Sequence, residues 1–295
     1  MLKSISLRLC TLIVLLFVGI LSFAQQVQVK GTVVEKSSGE SIIGASVMEV
    51  GSNSNGTITD IDGNFTLLGL PVLGAMWIIH KFAPAWADMA QLRLVQWAFR
   101  VIIFLSGADI EFIGEENVPK DEAVLYIGNH RSFFDIIITY SRCPRLTGYI
   151  SKQSITKIPV LGLWMKRLHC LFLDRDDIKQ GLKVVLAAID QVKSGISICV
   201  FPEGTRCKNK DDLTDVQSFK EGTFKIATKS KCKIVPMAIM GTNEIFEDHL
   251  PWVKKRHVVI RYGTPIDPAT LSKEEQKHLG AHCREVIVDM LHEMV

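Results

Sequence analysis

Seven cysteines are spread over 295 residues, and no two of them stand in the Cys-x-x-Cys spacing that a structural zinc or a redox pair needs. Cys10, Cys143, Cys170, Cys199, Cys207, Cys232 and Cys283 therefore read as free thiols of a reducing compartment, and no metal is expected. A dominant charge is also missing. With 34 basic and 31 acidic side chains the formal net charge is +3, and the small basic surplus lies beyond Leu68. That is too little to imply nucleic acid, although it suits an anionic membrane surface. No apolar run reaches the roughly 20 uncharged residues of a clean membrane span. The sequence has neither a G-x-S-x-G elbow nor a Cys/His motif, so no enzyme nucleophile is signalled. What it does have is 47% hydrophobic residues, enough for a substantial core in one large domain or two ordinary ones.

The N-terminus has the layout of a secretory signal over residues 1–24. Lys3 and Arg8 precede the apolar stretch Leu9–Leu21, and Ser22-Phe23-Ala24 offers a small-residue cleavage site. An uncleaved anchor is the alternative. Residues 25–68 alternate apolar and polar side chains between Ser-Ser-Gly, Asn-Ser-Asn-Gly and Asp-Gly-Asn clusters, which predicts four short antiparallel strands. The runs "GTVVEKSSGESIIGASV" and "GTITDIDGNFTL" resemble the opening of the carboxypeptidase-regulatory-like β-sandwich of TonB-dependent outer-membrane receptors. The later strands of such a sandwich do not follow Leu68, so the fragment is truncated. Asp60 and Asp62 lack the Glu that would close a calcium loop and read as ordinary turn residues.

Residues 69–107 hold two apolar segments, "GLPVLGAMWIIHKF" and "QLRLVQWAFRVIIFLSG", separated by "APAWAD". His80, Lys81, Arg93 and Arg100 interrupt them, while Trp77, Trp86 and Trp97 suit an interfacial belt. They read as a membrane-associated two-helix segment lying in one leaflet. A buried αα-hairpin would fit the same pattern.

Residues 108–295 alternate short apolar runs with helical patterns, which predicts an α/β domain with a central mixed sheet. "AVLYIGN", "LTGYISK", "LHCLFLD", "ISICVF", "KIVPMAI" and "HVVIRYG" read as strands, and a last helix is expected from Ser272 to Met294. Pro236 in "KIVPMAI" marks an edge strand or a bulge. After the first strand comes "NHRSFFD", in which Ser132 as N-cap and Asp135 at the third helical position fit a capping pattern. His130 stands in the loop before it, within reach of Asp135. His169 and Asp174 repeat the spacing across a strand, where an odd separation sends side chains to opposite faces. "FPEGTR" follows the strand "ISICV", with Pro202 and Gly204 setting a tight turn beside Glu203 and Arg206.

Taken together, "NHRSFFD", "SKQSITKIPVLGLWM", "LFLDRD", "FPEGTR", "SFKEGTFKIA" and "IVPMAI" resemble, in order and spacing, the 1-acylglycerol-3-phosphate acyltransferases of the glycerolipid acyltransferase family. The resemblance covers about residues 70–295 and shows no departure within these motifs. It implies acyl transfer from acyl carrier protein or acyl-CoA to the sn-2 hydroxyl of a lysophospholipid acceptor at a membrane surface, with no cofactor besides the donor. It implies His130 as general base and Asp135 as its orienting carboxylate. Arg175, Arg206 and, less centrally, Lys152 would meet the acceptor phosphate; Glu203 and Gly204 would shape the acceptor pocket, and "KIVPMAI" would line an acyl tunnel. Such an enzyme belongs on the cytoplasmic face of the inner membrane, where its donors are, and the export signal contradicts that address. Residues 1–68 and 69–295 therefore read as two unrelated units joined at a seam. The alternative is an exported envelope or receptor-type protein whose β fragment binds a partner while the acyltransferase domain modifies an envelope lipid.

Overall fold

The computed structural model describes residues 30–32, 46–48, 56–58, 64–66, 69–158, 161–174, 177–207, 209, 212, 214–250 and 252–294. The signal-like residues 1–24, most of 25–68, and Arg175 lie outside them. Two units are distinguished, residues 1–87 with 156–164 and residues 88–155 with 165–295. In the first, the alternating segment holds four three-residue strands, β1 (Lys30–Thr32), β2 (Ser46–Met48), β3 (Gly56–Ile58) and β4 (Asn64–Thr66). They pair antiparallel as β1 with β4 and β2 with β3.

Helix α1 (Gly69–Phe82) follows, and α2 (Pro84–Ser106) begins after the single residue Ala83. The expected six-residue break at "APAWAD" is instead helical. Pro84 opens α2 where a missing N–H costs nothing, and Ala83 continues the bonding by donating to Ile79 and accepting from Ala87. By length and composition α2 could cross a membrane.

The second unit is built on one seven-stranded sheet in the order β5-β11-β10-β6-β9-β7-β8. The six strands expected from apolar runs are β6 (Leu125–Gly128), β7 (Thr147–Lys152), β8 (Leu171–Leu173), β9 (Ser197–Val200), β10 (Ile234–Met240) and β11 (His257–Tyr262). An edge strand, β5 (Asp109–Ile113), was not expected. It alternates exposed acidic and half-buried apolar residues directly after a helix, where the apolar run masks the change of period. Every pairing is parallel except β10 with β11, so the sheet is mixed.

β10 is buried along its whole length, so the edge reading of Pro236 is corrected. The bulge reading describes the site. Ile234 to Met237 spans three steps, whereas their partners Ile266 and Tyr262 are four apart, which places an extra residue opposite the proline that lacks an N–H. One face of the sheet buries Leu125, Ile127, Ile198 and Ile234 with α5 (Ile178–Lys193), α6 (Lys225–Ser230) and α7 (Leu279–His292), counted after α3 (Phe134–Arg142) and α4 (Leu161–Arg167). The other face buries Tyr126, Tyr149, Met237 and Tyr262 against α2 and α3. The last helix starts at Leu279 rather than Ser272. Ser272 and Glu275 do form reciprocal capping bonds, but they lead into a 3-10 turn over Glu275–His278, with Gln276 tied back to the carbonyls of Pro268 and Leu271.

Candidate active site

Because β6, β9 and β10 run parallel, their C-terminal ends open on the same side, where α/β sheets gather ligands. The chain leaves β6 through Asn129, whose buried amide pairs with both backbone groups of Ile239, its Nδ2 donating at 2.9 Å and its Oδ1 accepting at 2.8 Å. His130 comes next, and its backbone is clamped on both sides. Its N–H donates to Glu203 Oε1 at 2.6 Å, and its carbonyl accepts from the Cys207 N–H at 2.7 Å. Its ring stacks on Phe201, with centroids 4.4 Å apart and planes within 14°. Nδ1 lies 2.7 Å from Asp135 Oδ2, and the pair is graded in exposure, 16% for His130 against 0% for Asp135.

Asp135 does more than face the histidine. Its Oδ2 also accepts the backbone N–H groups of Arg131 at 2.7 Å and Ser132 at 2.8 Å, and its Oδ1 accepts from the Thr242 hydroxyl. A carboxylate taken out of water is tolerable only with such a full set of partners. The capping pattern is realised with a shift. α3 starts at Phe134, and Phe133 precedes it in a helical conformation without a side-chain cap of its own. Ser132 Oγ accepts from the Phe134 N–H at 2.9 Å while Asp135 accepts from Ser132, so Asp135 is the second rather than the third helical residue.

Glu203 is almost fully buried, and its two oxygens accept the N–H groups of His130 and Gln217. It supports the histidine loop from behind. Burial raises the carboxyl's pKa above its usual range despite those bonds and the nearby cationic charge. The folded state therefore binds the proton more tightly than the unfolded one. Stability from this group is fully present below its ordinary value of 4.5 and is lost as pH rises through the raised folded value. Glu203→Gln should consequently gain on the wild type in melting temperature as pH is raised from about 4.5. A difference between the two proteins that is flat with pH would refute this.

Gly204 has a φ of 76°, where an L side chain is strained, and a Cβ there would press on the Lys220 side chain. Arg206 lies with its guanidinium carbon 4.3 Å from the Phe133 ring centroid and Nη1 3.0 Å from Glu247 Oε1. Glu247 also accepts the Phe133 N–H at 2.7 Å and the Ser132 hydroxyl at 2.6 Å, and so ties the histidine loop to the "FPEGTR" turn. Lys152 stands exposed at the end of β7, and among the described residues it bonds to none of these groups. The structure thus brings together His130, Asp135, Glu203, Gly204 and Arg206.

Three further residues of this arrangement were not singled out from the sequence. Buried Arg131 donates to the carbonyls of Asn209, Asp212 and Asp215, while Thr242 and Glu247 arrive from the segment after β10. Thr242 and Glu247 lie more than a hundred residues from His130 and carry no local signal. Arg131 sits inside the motif, but its neighbours do not betray its burial. His169 makes no dyad with Asp174. It has a left-handed φ of 59° and places Nε2 3.1 Å from Asp88.

A cavity of about 360 Å³ lies on the α3 side of the sheet, lined by Tyr126, Thr139, Tyr149, Met237 and Tyr262 and also by the charged Arg93, Arg100, Glu115, Glu116, Lys120 and Arg142. Phe201, stacked on His130, has its ring 6.4 Å from that of Tyr149, and Gly128 has no Cβ where one would meet Phe201 and Met237 at 3.2 and 3.3 Å. Burial pushes the Cys143 and Cys170 thiols up to about 11, which makes them poor nucleophiles. Among the described residues no group of three or more His, Cys, Asp and Glu side chains is placed to hold a metal ion.

The acyltransferase family profile matches residues 109–240. The chain is 30% identical over 200 residues to a 1-acyl-sn-glycerol-3-phosphate acyltransferase of Borreliella burgdorferi, covering 67% of this chain and 78% of that one. It is 28% identical over 208 residues to the enzyme of the same name from Saccharomyces cerevisiae, with 68% of each chain covered. The crystal structure of the 1-acyl-sn-glycerophosphate acyltransferase from Thermotoga maritima superposes with a TM-score of 0.65 at 26% identity, over 77% of this chain and 88% of that one. With these relatives the chain is an acyltransferase, and it belongs to the 1-acyl-sn-glycerol-3-phosphate acyltransferase family.

Proposed function

We propose that the chain transfers an acyl group from a thioester to the sn-2 hydroxyl of 1-acylglycerol-3-phosphate, giving phosphatidic acid. The carrying observation is the 2.7 Å contact between His130 Nδ1 and Asp135. With its Nδ1 proton held by the carboxylate, the imidazole presents Nε2 as the base. Nε2 takes the hydroxyl proton as the alkoxide oxygen attacks the thioester carbon. Collapse of the tetrahedral intermediate expels the thiolate, to which the imidazolium returns the proton. Acceptor oxygen is the nucleophile, so no covalent enzyme intermediate is required.

Arg206 is assigned to the acceptor phosphate, with Arg175 and Lys152 as further cations. Its guanidinium is oriented by Phe133 and Glu247 within one loop of His130. The acyl chain is assigned to the less polar part of the cavity, at Tyr126, Tyr149, Met237 and Tyr262. The donor carrier is read as acyl carrier protein or acyl-CoA, and the working position as the cytoplasmic face of the inner membrane, with the α1 and α2 segment lying on the bilayer. Residues 1–68 are read as a receptor-type fragment joined at a seam.

The test is a steady-state assay of the purified chain with labelled acyl donors and a panel of lyso acceptors. Arg206→Ala should raise the KM for 1-acylglycerol-3-phosphate about ten-fold or more and leave the donor KM near wild type, since a charge-assisted contact contributes about 1.5 to 3 kcal/mol. Equal effects on both substrates would remove Arg206 from the phosphate site.

A further inference from the structure

The segment between β10 and β11 carries exposed apolar and basic side chains side by side, and the reaction proposed above does not use them. Leu250 is 62% and Trp252 63% exposed, and Val253 is also exposed. Lys254 and Lys255 follow immediately, both exposed, and among the described residues neither has an ion-pair partner. The segment is nonetheless built. The Lys254 N–H donates to the carbonyl of Ile245 at 2.8 Å, the Trp252 N–H to His249 at 2.8 Å and the His249 N–H to Phe246 at 3.0 Å, with Ile245 fully buried at its base. A hydrogen-bonded loop that holds most of a tryptophan in water gains little for folding from that side chain.

Its surroundings extend the apolar surface. Gly107, just after α2, lies so close that a Cβ there would sit 3.6 Å from Lys255 Cβ. The last turns of α2 expose Phe104 at 82% and Leu105 at 76%, together with Val101 and Ile102. On the other side, Glu247 of the same loop holds the backbone of Phe133, whose ring is half exposed beside Arg206. Apolar side chains at a loop tip, a tryptophan among them, with two lysines behind, form the pattern that settles at a lipid headgroup boundary. Each such lysine adds about 1 kcal/mol of attraction to an anionic leaflet.

We infer that Leu250 and Trp252 to Lys255 form a second membrane contact, inserting Trp252 and its apolar neighbours into an anionic bilayer and so holding the Arg206 side of the site against the lipid surface. This rests on the lyso-lipid reading above, because the acceptor's own acyl chain must leave the bilayer next to that loop. An acidic protein would also meet two lysines. A bilayer is favoured because the tip is apolar rather than charged and adjoins the exposed end of a helix long and apolar enough to cross a membrane.

The full chain is tested on vesicles of phosphatidylglycerol and phosphatidylcholine whose acyl chains carry bromine. Because α2 can hold the protein on a vesicle by itself, insertion is read locally. Tryptophan fluorescence should be quenched, and Trp252→Phe should remove a distinct share of that quenching. Lys254→Ala/Lys255→Ala should raise the apparent KM for vesicle-borne 1-acylglycerol-3-phosphate about thirty-fold when phosphatidylglycerol is present. It should have little effect in pure phosphatidylcholine, and it should leave turnover of a short-chain, water-soluble acceptor within two-fold of wild type. Quenching unchanged in Trp252→Phe overturns the inference. So does a lysine effect that follows acyl carrier protein as donor rather than the lipid, since the loop would then dock an acidic protein. If the wild type acylates no lyso acceptor, soluble or membrane-borne, the proposed function fails instead, while the quenching still reports on the loop.

Discussion

His130→Ala should lower the rate of acyl transfer by about 10² to 10⁴, the usual contribution of a general base, with a circular-dichroism melt close to that of the wild type. The side chain is part-exposed and among the described residues makes its polar contact to Asp135 alone, while its backbone contacts to Glu203 and Cys207 survive the substitution. Asp135 is different. Removing its carboxylate leaves two backbone N–H groups and the Thr242 hydroxyl without their acceptor in a fully buried place, each orphan costing about 1 to 3 kcal/mol. Asp135→Ala should therefore lose both activity and stability. Asp135→Asn keeps the shape and separates the two: its melting temperature should fall less than that of Asp135→Ala, while turnover falls nearly as far as in His130→Ala, because the imidazolium loses its counter-charge. His169→Ala, removing a residue paired with Asp88, should turn over at nearly the wild-type rate. Turnover of His130→Ala near the wild-type value would mean that another base takes the proton.

Much of this arrangement was legible because it is local. A buried parallel strand is a short run of apolar residues whichever face it shows, so β6, β9 and β10 announce themselves, and the loops after β6 and β9 hold His130, Asp135, Glu203, Gly204 and Arg206. Sequence spacing also anticipated that His130 would reach Asp135 and that His169 would not pair with Asp174. What escaped is long-range. That Asn129 substitutes for a strand partner of Ile239, that Thr242 caps Asp135 and that Glu247 bridges Ser132 and Arg206 all depend on β10 lying beside β6. No periodicity encodes that neighbour relation. The missed strand β5 and the late start of α7 are errors of another kind, in which a local pattern was right but its boundary was set by packing. Glu203 was expected to shape the acceptor pocket. In the structure both of its oxygens are committed to the backbone N–H groups of His130 and Gln217.

Arg131→Ala should destabilise the folded protein by about 3 kcal/mol or more, an effect comparable to that of breaking a buried ion pair. Arg131 is 3% exposed, and its two terminal nitrogens span three carbonyls of one segment, Asn209 at 2.8 Å, Asp212 at 2.7 Å and Asp215 at 3.1 Å. Deleting it removes a planar fork from three acceptors and leaves a void behind the histidine loop. The segment it holds begins directly after Arg206, and Cys207 at its start donates to the His130 carbonyl. Loss of the clamp should therefore reach the site through position rather than charge. The acceptor KM should rise more than the donor KM, and backbone amide exchange should speed up at Cys207, Asn209, Asp212, Thr214 and Asp215 before it does in β6 or β10. Arg131→Lys keeps the charge but has a single nitrogen, which cannot serve three carbonyls in the geometry of the fork, so it should restore only part of the stability and exchange protection. Full rescue by lysine would make the charge beside Glu203 the operative feature. Wild-type exchange at Asn209, Asp212, Thr214 and Asp215 in Arg131→Ala would show that the segment is held by its own turn bonds, such as those of Asp212 to Thr214, and that the arginine is not its clamp.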